Sequence, residues 1–428
     1  MFISRSSLWS NLDCADADKT RVYLKRSGSS PINLQLRRGA GLSLLDLFVQ
    51  MTPQVIGRLK FLSIDAQPED LQAITGHLSH PVPLLERLAL DGGSLQEPQQ
   101  IAPTAFNGDF PSLRFLRLQC VRTELPWRSM VNLTSFALHY CLAGNFGQLL
   151  EFFESAPRLR QINLFLTTLT SGGENGRLVS LDHLKRMDIV RCGPTSILLD
   201  HLVIPVGVKL AIELDSFEFI IEDYIPRSLD NLKNLSNFTK IELYLREFVP
   251  RVRFSGPSGQ LCMTVGGIDT TSHVFESLAR FDILKIEWLK VDSTIPLSRN
   301  PHRTFFSMKN LRTLVLSRCN GLRAIVDILN PNTSPSEEVA CPSLEELIFI
   351  FHVWGKDFED DVEEEFDTQN VIEMTAARAS RGAKLKTVKD QAELDPVDVL
   401  ELGKHVLHVE CGPWVVCNDA SEYSSEED

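Results

Sequence analysis

One short phrase recurs along this chain and limits what it can fold into. An apolar residue is followed by two other residues, a second apolar residue, one other residue and a third apolar residue. The last two apolar positions alternate, as in a strand with one buried face. A single such unit cannot bury that face, so neighbouring units are expected to stack side by side. The phrase occurs at Leu59-Leu62-Ile64, Leu85-Leu88-Leu90, Leu113-Leu116-Leu118, Leu133-Phe136-Leu138, Leu159-Ile162-Leu164, Leu184-Met187-Ile189, Phe238-Ile241-Leu243, Ile283-Ile286-Trp288, Leu311-Leu314-Leu316 and Leu344-Leu347-Phe349.

The spacing of the phrases identifies the type of repeat. The first six begin 26, 28, 20, 26 and 25 residues apart, close to the period of leucine-rich repeats. Prolines such as Pro111, Pro157 and Pro342 precede several phrases and would end a preceding helix. Helical patterns lie between the phrases, at 146–156 and 322–330. The sequence therefore predicts an α/β leucine-rich-repeat solenoid, a curved parallel β-sheet with helices on its convex side.

Three cysteines occupy one recurring position, three residues after the last apolar residue of a phrase. They are Cys141, Cys192 and Cys319. Leucine-rich repeats place asparagine or cysteine there to fill the corner after the strand. Because a buried free cysteine behaves as a small hydrophobe, packing is a better explanation than metal binding or nucleophilic chemistry.

The repeat pattern is interrupted between about residues 195 and 265, which we interpret as an irregular central insertion. Leu210, Ile212 and Leu214 alternate well but lack the full phrase. The segment Arg251–Val265 is typical of a β-hairpin around Gly256-Pro257-Ser258-Gly259. The region is either an irregular repeat or a platform added for binding.

The net charge of -13 is concentrated in two segments. Asp357–Asp367 holds eight acidic residues and the tail from Asn418 to Asp428 holds five, typical of a solvated loop and a disordered tail. The remainder is nearly neutral, which argues against nucleic-acid binding. The chain has no apolar leader, no stretch of about 18 apolar residues and an odd number of cysteines. We therefore expect a cytoplasmic or nuclear protein that does not bind membranes.

The sequence offers little sign of catalytic or metal chemistry, and we expect a non-enzyme without cofactors. His405, His408, Cys411 and Cys417 are residue types that suit zinc, but a strand at 406–411 would place His408 on the opposite face from His405 and Cys411. We therefore predict no metal site. The pair His77 and His80 is expected at a helix end.

A rival hypothesis makes the chain an enzyme that uses acidic residues of the central region. Carboxylates this dense on one segment could do acid and base work, but no pair of them forms a recognisable motif, and exposed charge explains them. The residues concerned are Glu213, Asp215, Glu218, Glu222 and Asp223.

The chain resembles fungal F-box and leucine-rich-repeat proteins over most of its length. The resemblance is carried by Ser7-Leu8-Trp9-Ser10-Asn11-Leu12, Tyr23-Leu24-Lys25-Arg26-Ser27-Gly28, Pro31-Ile32-Asn33-Leu34-Gln35-Leu36, the proline-led repeats, Ile204-Pro205-Val206-Gly207-Val208 and Ala376-Ala377-Arg378-Ala379-Ser380-Arg381-Gly382-Ala383-Lys384-Leu385. It implies that the repeats choose the substrate of a cullin-type ubiquitin ligase and that an F-box binds the Skp adaptor. Because Met1 stands only seven residues before Leu8, the F-box itself is expected to be absent.

The predicted organisation follows from these patterns. Residues 1–30 form an N-terminal cap or F-box junction, with a helix from Asp16 to Arg26. Residues 31–355 form the repeat solenoid, 356–370 an acidic loop, 371–417 a C-terminal cap and 418–428 a disordered acidic tail.

The expected function is a protein–protein interaction scaffold, resembling the substrate-recognition part of an F-box/leucine-rich-repeat subunit. The alternatives are a stand-alone binding protein without a ligase role and the enzyme considered above. Residues beside the two strand apolar positions should point out of the concave sheet, among them Ser135, Gln161, Asn163, Val190, Ile348 and Ile350. Aromatic and arginine residues dominate interface energetics. The residues chosen as a partner-binding patch are Phe115, Arg117, His139, Phe165, Arg186 and Asp188.

Overall fold

A computed structural model of the chain describes residues 6–13, 17–37, 55–77, 80–93, 99–101, 110–123, 130–170, 176–193, 195–214, 224–226, 228–246, 250–265, 271–295, 301–318, 322–333, 338–350, 368–391 and 394–412. Two compact units are present. Unit 1 comprises Met1–Ser216, Ile220–Asn237 and Pro257–Thr264, and unit 2 comprises Phe217–Phe219, Phe238–Gly256 and Val265–Asp428. Each is a mixed α/β structure built on a mostly parallel sheet.

The strands of the described residues are short and numerous. They are β1 Asn11–Asp13, β2 Ile32–Leu36, β3 Leu59–Asp65, β4 Arg87–Asp91, β5 Gln99–Ile101, β6 Phe115–Gln119, β7 Val121–Thr123, β8 Ser135–His139, β9 Leu142–Asn145, β10 Gln161–Phe165, β11 Thr168–Thr170, β12 Val179–Ser180, β13 Arg186–Val190, β14 Leu202–Val203, β15 Val208–Leu214, β16 Lys240–Leu245, β17 Arg251–Gly256, β18 Gly259–Val265, β19 Trp288–Ser293, β20 Thr313–Ser317, β21 Glu346–Ile350, β22 Thr387–Asp390 and β23 His408–Cys411.

The main sheet of unit 1 is parallel and follows the chain order β1, β2, β3, β4, β6, β8, β10, β13 and β15. From β3 onward the apolar positions of successive phrases lie side by side; Leu88, Leu116 and Phe136, for example, are register partners. These side chains are almost fully buried. The predicted strands of the first six phrases are therefore confirmed. Strand β15, which lacks the full phrase, pairs with β13 in the same register.

The backbone around each of these strands repeats as well. A tight turn precedes the strand, as where the Leu113 amide donates to the Phe110 carbonyl over 3.2 Å. A non-glycine residue with positive φ follows β6, β8, β10 and β13, with φ 53° at Cys120 and 54° at Tyr140. The Tyr140 amide then donates over 2.8 Å to the carbonyl of Phe165, the last residue of the neighbouring strand. At these four corners a left-handed residue thus links adjacent strands by hydrogen bonding.

The chain returns between strands through helices and a second sheet. The parallel strands β5, β7, β9 and β11 form that sheet. The helix predicted at 146–156 is observed at Phe146–Ser155, and it begins with a capping box between Asn145 and Gln148. Its buried Phe152 lies 4.3 Å from Phe136 between ring centroids, so the helix covers the inner side of the main sheet. The other α-helices described in unit 1 are Ala17–Ser27, Pro68–His77 and Thr195–Asp200.

In the described part of the N-terminal cap, Trp9 packs against the helix that follows it. The predicted helix from Asp16 to Arg26 is observed at Ala17–Ser27. The rings of Trp9 and Tyr23 lie 4.9 Å apart, and the Arg26 guanidinium stands 4.6 Å from the centroid of Trp9. Trp9 therefore acts as an apolar anchor for this helix.

In unit 2 the parallel strands run in the order β16, β19, β20, β21, β22 and β23, with β17 antiparallel to β16. The predicted phrase at Ile283-Ile286-Trp288 is wrong by three residues, because Leu289 and Val291 are the buried partners of Leu314 and Leu316. A 3-10 turn occupies 283–285, so the strand starts only at residue 288. The α-helices described in unit 2 are Thr271–Leu278, His302–Ser307, Leu322–Leu329, Thr368–Ser380 and Pro396–His405.

The strands expected for the central hairpin are present as β17 and β18, on either side of Pro257 and Ser258. Each joins the sheet of its own unit, β17 beside β16 and β18 beside β15. Gly259 has φ 144°, and an added Cβ there would lie 2.6 Å from the Val208 carbonyl oxygen, so this turn requires glycine.

A fully buried arginine holds the helix Thr368–Ser380 in unit 2. Arg378 is 0% exposed and donates to the carbonyls of Ala340 and Cys341 over 2.7 and 2.8 Å, with a longer contact of 3.4 Å to the Leu329 carbonyl. Burial lowers the pKa of Arg378 to about 10. The guanidinium thus donates to buried carbonyls at the end of the preceding helix and in the turn, including the Cys341 carbonyl, which also accepts from the Leu344 amide.

Candidate functional site

The outer face of the main sheet in unit 1 presents three rows of side chains across neighbouring strands. The first row is Arg87, Phe115, Ser135, Gln161, Arg186 and Lys209, the second is Ala89, Arg117, Ala137, Asn163, Asp188 and Ala211, and the third is Asp91, Gln119, His139, Phe165, Val190 and Glu213. All six residues predicted as a partner-binding patch lie on this face. We call Phe115, Arg117, His139, Phe165, Arg186 and Asp188 the sheet-face patch.

Arg117, His139 and Phe165 form a connected group within the sheet-face patch. Arg117 Nη2 donates to Gln119 Oε1 over 2.8 Å and lies 3.5 Å from His139 Nδ1. The His139 and Phe165 rings have centroids 5.8 Å apart, and the Tyr140 ring meets Phe165 edge-on at 5.1 Å. These contacts place a cation beside the His139 ring, which in turn lies beside Phe165, and arginine and aromatic side chains are enriched at protein interfaces.

The polar atoms at the centre of this group are incompletely satisfied. Burial and then the positive charge of Arg117 lower the pKa of His139 to about 4, so the imidazole is neutral at pH 7. Among the described residues, the buried atoms His139 Nε2 and Asn163 Oδ1 have no hydrogen-bond partner. Between Arg117 and Asn163 stands the small side chain of Ala137. Both atoms are shielded from solvent in this structure.

The rest of the sheet-face patch consists of one ion pair and one aromatic ring. Arg186 Nε lies 2.7 Å from Asp188 Oδ2, with side-chain exposures of 53% and 16%. Burial raises the pKa of Asp188, against the opposing charge of Arg186. Phe115 is half-buried beneath the Arg87 guanidinium, 6.0 Å from its ring centroid.

The predicted outward positions differ in exposure. Gln161 is exposed, whereas Ser135, Asn163 and Val190 are half-buried. In unit 2, Ile348 is half-buried but Ile350 is only 4% exposed, so its prediction as a surface residue is wrong. Strand alternation predicts on which side of the sheet a side chain lies, but it does not predict whether that side is exposed. At Ile350 it is buried.

The residues of the rival enzyme hypothesis are only partly described. Glu213 forms an ion pair with Arg191 at 3.3 Å. The other four, Asp215, Glu218, Glu222 and Asp223, lie outside the described residues.

The zinc candidate and the histidine pair can be placed in the same way. Among the described residues, no three histidine, cysteine or acidic side chains are close enough to hold a metal. His405, His408 and Cys411 are among those residues, whereas Cys417 is not. His77 is the last residue of helix Pro68–His77, as predicted, and His80 is exposed.

The cysteines at the strand corners are buried, as the packing interpretation expects. Cys141 Sγ donates to the Leu118 and His139 carbonyls over 3.2 and 3.3 Å, and burial raises its pKa to about 12. Burial raises the pKa of Cys192 to about 11. Thr167 makes the same two bonds at the next corner, to Leu138 and Phe165, and the sequence pattern missed it. Cys319 lies outside the described residues.

Sequence reasoning also missed polar surface at the start of the strands. A cleft of about 460 Å³ in unit 1 is lined by Arg114, Asn132, Thr134, Arg158, Arg160 and His183. Three of these residues directly follow the leading leucine of a phrase: Arg114, Thr134 and Arg160. Aligning the phrases on that leucine would have brought them into one column.

Comparisons with known proteins leave the family open. Neither a scan against protein-family models nor a search of curated proteins finds a match for this chain. Among the described helices, none combines the length and apolar character needed to cross a membrane.

Proposed function

We propose that the chain is a protein–protein interaction scaffold with a leucine-rich-repeat architecture. It would correspond to the substrate-recognition part of an F-box/leucine-rich-repeat subunit of a cullin-type ubiquitin ligase, without enzymatic activity of its own. The observation that carries this proposal is the repeated parallel pairing of five-residue strands in register from β4 to β13. Such repetition produces an extended surface, which is how repeat proteins bind partners.

The sheet-face patch is the proposed contact surface for the partner. It combines two arginines, two exposed or half-buried phenylalanines and a neutral histidine with an unpaired ring nitrogen. Aromatic and arginine side chains contribute most of the binding energy at protein interfaces.

Affinity capture with matched variants tests this proposal. Proteins bound by the wild-type chain are compared with those bound by Arg117→Glu combined with Phe165→Ala, and by Arg122→Glu as a control. Arg122 is exposed on β7, a strand of the second sheet just after the corner that follows Arg117. Partners of the sheet-face patch should be lost from the double variant and kept by the control. Identical sets of captured proteins from all three chains would contradict the proposal.

The ligase role is separable from the scaffold role. Purified Skp adaptor should bind the intact chain if the ligase role is correct. Specific partners without adaptor binding would favour the alternative, a stand-alone binding protein.

A further inference from the structure

A row of basic side chains lines the starts of the strands in unit 1. Successive backbone hydrogen bonds connect its members, as where the Thr134 amide donates to the Arg114 carbonyl over 2.9 Å and the Arg160 amide to the Thr134 carbonyl over 2.8 Å. We call Lys60, Glu86, Arg114, Thr134, Arg160, Lys185 and Lys209 the strand-start row. Five of the seven are basic.

The cleft lies along the middle of the strand-start row. Besides Arg114 and Arg160, it is lined by Arg158 and His183 from the tight turns that precede the strands, and all four side chains are exposed. Arg158 Nη1 donates to Asn132 Oδ1 over 2.9 Å. In the described part of the chain, neither Arg114 nor Arg160 forms an ion pair with a carboxylate. Four cationic or protonatable groups thus line one cleft with no acid among its lining residues.

The equivalent positions of unit 2 show that such unpaired charge is not needed to form the strands. There the residues at the strand starts include Glu287, Arg312, Glu345 and Lys386, which alternate in sign. Lys386 Nζ and Glu345 Oε1 are 2.9 Å apart. The backbone hydrogen bonds at the strand starts are the same in both units, so the strands do not require the basic excess of unit 1.

We propose that this cleft binds an extended acidic segment of a partner protein, whose anionic side chains face Arg114 and Arg160. The inference rests on the proposed scaffold role, since its ligand is a protein segment, but the site is distinct from the sheet-face patch. The shared chemistry is an anionic oxygen, supplied by a carboxylate or by a phosphorylated side chain. Both accept paired hydrogen bonds from a guanidinium.

The spacing of the two arginines defines the ligand further. Arg114 and Arg160 lie at the starts of strands that are separated by two strand spacings. Because one spacing is about 4.8 Å, their backbone positions are about 10 Å apart. An extended peptide in the polyproline II conformation rises about 3.1 Å per residue and returns to the same face every third residue. Side chains three residues apart are therefore about 9 Å apart on one face. The cleft fits anionic residues at positions i and i+3.

A nucleic acid fits the same surface less well. Glu86 directly precedes Arg114 in the strand-start row, where it pairs with Lys60 at 3.6 Å, and Asp182 is exposed beside His183. A continuous run of phosphates would meet these acids within one or two strand spacings. Two separated anionic side chains avoid them.

Fluorescence anisotropy with the purified full chain tests the inference. The labelled peptides share one proline- and serine-rich background and carry glutamate at i and i+3, phosphoserine at i and i+3, or glutamate at i and i+1; an oligothymidylate is included. The variants are Arg114→Glu/Arg160→Glu and a control with the same charge change, Arg122→Glu/Arg312→Glu, both checked for folding by circular dichroism. A peptide with lysine at i and i+3 tests whether the variant with glutamate in place of both arginines binds a ligand of the opposite charge.

The i, i+3 anionic peptides should bind best, with an affinity that falls as salt rises. The cleft variant should weaken them by about tenfold or more and gain binding of the lysine peptide, whereas the control should change affinity by less than about twofold. Tighter binding of phosphoserine would assign a phosphorylated partner, and equal binding a constitutively acidic one. No saturable binding, equal loss in both variants, indifference to peptide spacing, or preference for the oligonucleotide would overturn the inference. None of these outcomes bears on the sheet-face patch, whose own variants leave the cleft intact.

Discussion

His139 should make the stability of the chain depend on pH between its unfolded and folded pKa values. The folded pKa is lowered to about 4, against an ordinary value of 6.5. In this window the unfolded imidazole binds a proton that the folded one does not, so the free energy of unfolding falls as pH falls. Each pH unit between the two pKa values corresponds to about 1.4 kcal/mol, so the contribution of His139 to the free energy of unfolding is about 2 kcal/mol lower at pH 5 than at pH 7.5.

The magnitude can be isolated with one substitution. His139→Gln keeps a polar side chain but removes the titrating group. The free energy of unfolding of both proteins is measured by guanidinium denaturation at pH 5 and pH 7.5. Because the other titrating groups contribute equally to both proteins, their effects cancel when the two pH-dependent changes are subtracted. The wild type should lose about 2 kcal/mol more than the variant on acidification. If the losses of the two proteins on acidification differed by less than about 0.5 kcal/mol, the conclusion that the His139 imidazole is buried and neutral would be wrong.

The cause of the shift can be checked separately by NMR titration of histidine-labelled protein. Arg117→Gln removes the second cause of the lowered pKa and leaves burial, the larger one. The pKa of His139 should therefore rise above about 4 and stay below 6.5. An unchanged pKa would show that Arg117 does not influence the ring.

Three further predictions concern the framework. Leu116→Asp places a charge at a site that is 0% exposed and should unfold the repeat, whereas Arg117→Asp should leave the melting temperature nearly unchanged; equal destabilisation would contradict the register of β6. Arg378→Met removes the two short guanidinium bonds to the buried Ala340 and Cys341 carbonyls and should lower the free energy of unfolding by about 3–5 kcal/mol in chemical denaturation, and a loss below about 1 kcal/mol would argue against these bonds. Gly92→Ala would bring a Cβ to 2.4 Å from the Cys120 carbonyl oxygen and should cost about 1–3 kcal/mol, whereas Gly57→Ala, with nothing within 4 Å, should not.

The strands could be predicted because their burial is periodic, and the failures occur where another constraint overrides the period. Ile286 and Trp288 fit the phrase, but the 3-10 turn before them delays the strand, and Leu289 and Val291 take the buried positions instead. At β22 the position next to Phe349 is occupied by Asp390, 1% exposed, which no apolar pattern would place there. A displacement of three residues also exchanges the two faces of the strand, so periodicity gives the correct side only where it gives the correct register.

The candidate site was predictable in its outline and not in its environment. Alternation placed Arg117 and Phe165 on the outer face correctly. It could not show that His139 is desolvated there, nor that Ile350 is buried on the same side of its own sheet, because both depend on what packs over the face. Arg114 and Arg160 were missed because they occupy a variable position of the phrase, directly after the leading leucine, where the apolar pattern carries no information.

The constant strand length has a consequence for how such a chain changes over time. Strands β4, β6, β8, β10 and β13 each have five residues, while successive phrases are separated by 28, 20, 26 and 25. Differences in length are absorbed by the returning segments, which lie outside the hydrogen-bonded ladder of the main sheet. Insertions and deletions can accumulate there without altering the lateral distance between side chains on the sheet. Descendants of this chain could therefore diverge widely in length while presenting their surface residues at the same intervals.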